Sequence, residues 1–112
     1  MFTYCLALES FNSDLSSLED GSTLLAACKG LKSFNADLSS LTTATKMFSG
    51  TNLSSFDIPV DNLTSAYAMF ISCFALTSFN SDLPSLTNGR YMFQNCISLA
   101  SFDSDLSNLT NG

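Results

Sequence analysis

The chain reads as a repeat solenoid. One block of side chains returns five times, at steps of 22 or 23 residues. The returning positions are apolar, and they are spaced mostly by three, as in Phe2, Cys5, Leu8 and Phe11. That spacing fits neither a long helix nor a long alternating strand. The blocks open at Met1-Phe2, Leu24-Leu25, Met47-Phe48, Met69-Phe70 and Met92-Phe93, which divides the chain into repeats 1–23, 24–46, 47–68, 69–91 and 92–112. A fixed period of this length makes each copy one coil stacked on the last, so residues 1–112 form a single solenoid domain.

Within a coil, Met1 to about Ala7 reads as one helical or 3₁₀ turn with Phe2 and Cys5 facing inward. Leu8-Glu9-Ser10-Phe11-Asn12 then reads as a short strand, and Asp14 to Gly21 as a turn-rich return arm. In-register stacking would set the strands side by side in one parallel β-sheet, about 4.8 Å apart. Five columns of the internal alignment carry the core. They run through Phe2, Leu8, Phe11, Leu15 and Leu18 of the first coil and their equivalents in the other four. The third coil is one residue short between Met47 and Leu53, which accounts for the single 22-residue step. One coil cannot bury enough surface to offset the entropy of ordering its own backbone, so neighbours share the stability of the stack.

A sixth column holds Cys5, Cys28, Cys73 and Cys96. Each thiol sits three residues after an inward Phe or Leu, where a small soft group fills the core. This favours buried free thiols, although Cys5 and Cys28 lie one coil apart, as do Cys73 and Cys96, which leaves a bridge open. The chain has no His and no C-x-x-C, so no zinc site is expected. The serine before each strand Phe reads as a small outward residue, not a nucleophile, because no copy is distinguished from its neighbours. The polar column Asn12, Asn35, Asp57, Asn80 and Asp103 reads as a coil-to-coil amide ladder. Asp14, Asp37, Asp82 and Asp105 read as Asx turns, with calcium between coils as the lesser alternative.

The motif M-F-x-x-C-x-x-L-x-S-F-[ND]-x-D-L-x-x-L-T, as in Met69 to Thr87, resembles the BspA-like leucine-rich repeats of bacterial, mycoplasma-type and protozoan surface proteins. The third copy comes nearest the family form, with Phe56-Asp57-Ile58-Pro59. The resemblance covers the whole chain and implies a leucine-rich-repeat-like solenoid used for adhesion, host-protein binding or surface structure. It carries no shared binding residues. Met replaces the family's Ala, Phe its strand Ile, and Asp its Pro in four copies.

Composition narrows the function further. Four basic residues against ten acids give a net charge of −6. This argues against direct nucleic-acid binding, which needs clustered Lys and Arg. No apolar run reaches the length of a membrane span. Repeat one begins at Met1 itself, so a signal peptide or anchor would have to lie outside this sequence. Positions where copies disagree are the candidates for recognition. Among them Tyr4, Tyr67, Phe74, Arg90 and Tyr91 are of the types that dominate interfaces. Motif residues run to both ends, so Phe2 and Cys5 at one end, and Phe102, Leu106 and Leu109 at the other, are candidates for end-to-end contact.

The expected function is non-enzymatic: an adhesin-like protein-contact or structural surface module. It would associate head-to-tail with itself or form part of a longer array. No cofactor or metal is expected, and the location would be extracellular or at the cell surface. The alternative is a small acidic inhibitor or decoy of the phage type, cytoplasmic, that blocks a basic site on another protein.

Overall fold

A computed structural model describes residues 2–112, and Met1 lies outside the described residues. The chain winds into five stacked coils, each giving one two-residue strand: β1 (Ser10–Phe11), β2 (Ser33–Phe34), β3 (Ser55–Phe56), β4 (Ser78–Phe79) and β5 (Ser101–Phe102). All strand pairs are parallel and in register, Ser on Ser and Phe on Phe. A second line of parallel bridges links the return arms through Asp20, Thr43, Ser65, Asn88 and Asn111. The strands are shorter than the expected five residues because only Ser and Phe pair with their counterparts.

The sheet is not continuous. It divides into β1-β2 and β3-β4-β5, where a single sheet was expected. The missing residue of coil 3 is the cause: Asn52 donates to the Leu31 carbonyl at 2.9 Å, a step of 21 residues. The next junction pairs Thr77 with Ser54, a step of 23. The return-arm bridges cross the same junction unbroken, so the coils stay stacked.

The opening stretch of each coil is not a helix or a 3₁₀ turn, which corrects the sequence expectation. Alternate amides serve two directions. The amides of Ala44, Lys46, Phe48 and Gly50 donate to carbonyls of the next coil, at 2.9–3.0 Å. Those of Met47, Ser49 and Thr51 close tight turns onto the residue three before. A helix uses every amide along its own axis and could not make the first set. The turns also require left-handed residues, and two columns supply them: Tyr4, Ala27, Gly50, Ser72 and Asn95, and Thr23, Lys46, Ala68 and Tyr91, with φ of 52–68°. Type II turns place such a residue third.

The core is a double file of aromatic rings. Phe48, Phe70 and Phe93 stack face to face at 5.3 and 5.7 Å. Phe56, Phe79 and Phe102 stack at 5.7 and 5.5 Å. The two files meet edge-on, as Phe70 on Phe56 at 5.1 Å. Leu31, Leu41, Leu63 and Leu76 fill the remainder and are fully buried. In a column of small residues, Gly21, Ala44, Ala66 and Gly89, the first glycine leaves room for Met47 and Leu41 and the last for Leu86 and Leu109.

Side-chain ladders do run from coil to coil, but not through the Asn12 column, whose members are exposed. Thr42, Thr64, Thr87 and Thr110 each donate to the carbonyl one coil back, at 3.0–3.2 Å. Ser81 and Ser104 do the same to Ile58 and Ser81. A hydroxyl on a short stem reaches the neighbouring carbonyl without leaving its own coil. The Asp column behaves as Asx turns: Asp14, Asp37 and Asp105 each accept the amide two residues on, at 2.9 Å. The Ser16 hydroxyl and amide hold the Asp14 carboxyl below its ordinary range. Asp82 cannot make this turn, because Pro84 has no amide to give.

Gly30 is the most closely approached of the glycines. A Cβ there would run into the backbone carbonyl of Leu6, which cannot swing away. Gly30→Ala is expected to lower stability by about 1–3 kcal/mol. Gly89→Ala should cost under about 1 kcal/mol, since Ala44 and Ala66 already carry a methyl in that column. Urea midpoints of the two variants check this, and equal shifts would contradict the packing described.

Candidate protein-contact surfaces

Two kinds of surface emerge: the outer wall of the turn side, and the two ends of the stack. The wall comprises residues 2–7, 22–30, 45–52, 67–75 and 90–98, whose outward positions are the columns where copies differ. All five contact candidates lie on it. Three meet: Tyr67 and Tyr91 pack edge-on at 5.6 Å, and the Arg90 guanidinium sits 4.8 Å over the Tyr91 ring and donates to its hydroxyl at 2.8 Å. Tyr4 and Phe74 are exposed and belong to neither this cluster nor the core files. Leu6 and Ile97, 62% and 80% exposed, share the outward column of Phe74. Neither was among the contact candidates, which were chosen as aromatic or Arg residues in the varied columns.

Charge is segregated between faces. The wall holds Lys29, Lys46 and Arg90 and no carboxylate. All ten acids stand on the strand and return-arm sides, with Lys32 as the one cation there. The acids nearest the wall are Glu9 and Asp20, at its two corners in coil 1; Asp20 is held there by accepting the Ser22 amide at 2.9 Å.

The ends are faces of the internal coil-to-coil interface. Inside the stack each cysteine donates its thiol to the Phe carbonyl one coil back: Cys28 to Phe2 at 2.7 Å, Cys73 to Phe48 and Cys96 to Phe70 at 3.0 Å. Thr51 occupies the cysteine slot of coil 3, buried, 3.5 Å from the Cys73 sulfur. All four cysteines are free thiols. At the first coil Cys5 is half-buried and Phe2 is 42% exposed. The amides of Glu9 and Asn12, whose equivalents donate to the preceding coil, have no partner among the described residues. At the last coil Leu86, Met92, Phe93, Phe102, Leu106 and Leu109 line an open apolar recess of about 160 Å³. Phe102 is 42% exposed there, and Leu106 and Leu109 are half-buried. The Asn95 amide, whose equivalents donate to the next coil, likewise has no partner among the described residues.

Burial raises the thiols of Cys28 and Cys96 and pushes Cys73 up to about 11, from an ordinary 9.0. A raised folded-state value favours the neutral thiol, so this contribution is complete below pH 9 and is lost as pH climbs to 11. The loss should be about 2–3 kcal/mol for Cys73. Urea unfolding on either side of that window checks it, and Cys73→Ala should make the alkaline decline shallower by about that amount.

Among the described residues no group of three or more His, Cys, Asp or Glu could hold a metal ion. Among the same residues no helix is long and apolar enough to cross a membrane. The family model for the BspA-type leucine-rich repeat region matches residues 1–111, in six copies. The chain belongs to that family. No curated protein and no solved structure matches it. For a BspA-type repeat chain the parallel strands and the 22–23-residue period are the solenoid-like part of the architecture, and the family points to protein contact or surface structure and not to catalysis.

Proposed function

We propose that this BspA-type chain is a non-enzymatic, adhesin-like surface module that binds protein through its turn-side wall and stacks end to end with further coils of its own kind. The observation that carries the second part is the match between the ends. The Glu9 and Asn12 amides and the Cys5 thiol face one way along the stack. The Ala100, Phe102 and Phe93 carbonyls occupy the positions that accept such groups at every ordinary internal junction. Two copies brought together repeat an interface the chain already makes within itself. Head-to-tail contact of this kind gives open filaments.

Electrostatics sets the condition for it. Coil 1 carries Glu9, Asp14, Glu19 and Asp20 with no cation, and coil 5 carries Asp103 and Asp105 with no cation. Stacking brings these together, so salt should promote assembly by screening them. Sedimentation velocity over a concentration series should show growing oligomers, larger at high salt. A monomer at every concentration and salt would refute the stacking. The broad acidic face keeps the inhibitor reading as the second candidate, and it requires the opposite sign, binding that weakens with salt.

A further inference from the structure

The wall has a built notch. In coils 2 and 4 two residues, Lys29-Gly30 and Phe74-Ala75, span the step to the strand, but coil 3 has Asn52 alone. The shortened path leaves a recess of about 510 Å³ lined by Lys29, Gly50, Thr51, Asn52, Ser72 and Phe74. Phe74 is 57% exposed beside it, and Lys29 is exposed. An ammonium and an uncovered aromatic ring thus border one recess, on a face with three cations and no carboxylate.

We infer that the wall of coils 2 to 4 docks an acidic polypeptide segment, which sets a carboxylate on Lys29 and an apolar side chain in the notch against Phe74. The overall charge of −6 conceals this, because it sums a cationic wall with an acidic remainder. A carboxylate segment fits better than a long polyanion for three reasons. The cations are few and spread over coils 2 and 4, whereas phosphate-backbone binding uses many in a run. Arg90 is already engaged with Tyr91. Leu6, Phe74 and Ile97 stand exposed along the same column and call for apolar partners.

The inference names the partner chemistry of the proposed contact module and rests on that reading. Its test is separate from that of end-to-end stacking, so either can fail alone. The probe is a fluorescein-labelled peptide of alternating Glu and Leu, followed by anisotropy against the folded chain. Binding is expected to weaken about tenfold in Lys29→Glu and several-fold in Phe74→Ser. Lys32→Glu makes the same charge change off the wall and should leave binding within about twofold. Thermal unfolding of each variant confirms that it is folded. No binding to the parent chain, equal losses in the two lysine variants, or heparin displacing the peptide at the same site would each overturn it.

Discussion

Replacing Phe70 with alanine is expected to cost about 3–5 kcal/mol, a large share of the stability a domain of this size has. Phe70 is fully buried and its ring touches four others: it stacks between Phe48 and Phe93 and meets Phe56 and Phe79 edge-on. Removing it opens a cavity at the crossing of both aromatic files. The neighbouring coils cannot close over it without breaking the amide bonds on either side. Phe102→Ala, at a half-exposed end position, should cost less than about 2 kcal/mol. Chemical denaturation followed by circular dichroism separates the two. Equal costs would mean that the ring files are not what holds the stack.

Phe102→Lys is expected to weaken self-association on the order of 100-fold or more while leaving the single chain folded. The side chain is partly in solvent in the single chain, so its ammonium has water there. A second copy seated on the recess would strip that water and supply no carboxylate beside it, since the facing positions Phe2 and Phe11 are apolar. Phe74→Lys makes the same kind of change on the wall and should leave assembly intact. If both variants assemble like the parent chain, the apolar recess is not the contact.

The core was readable because the period is nearly fixed: Phe and Leu columns recurring every 22 or 23 residues can only be the inside of a stack. The path of the backbone between those columns was not. The turn side looked helical because Phe2 and Cys5 share the spacing of one helical turn. Of the nine left-handed positions, Gly50 and Asn95 alone are residue types that favour them. Tyr4, Lys46 and Tyr91 adopt the same φ because the inter-coil amide bonds hold them there, and no local signal reports that. The deletion in coil 3 was visible in the register, but its consequences arise only in the stacked fold: a break in the sheet and a notch in the wall.

The contact candidates divide along the same line. Variation among copies located Tyr67, Arg90 and Tyr91, which the fold brings together. Lys29 looked like one of four scattered cations until the coils placed it on the same recess as Phe74, on a face without acids. Sequence alone could not assign faces, because that depends on which way each turn residue points.

Amide hydrogen exchange resolved by residue tests the central claim, that the chain is a stack whose ends repeat its own internal interface. In dilute solution the amides of Lys46, Phe48, Gly50, Ala68 and Phe70 should be protected, while those of Glu9, Asn12 and Asn95 exchange freely. As concentration rises, Glu9, Asn12 and Asn95 should become protected together. Exchange at these three that is independent of concentration, in a sample whose inner amides stay protected, would contradict it.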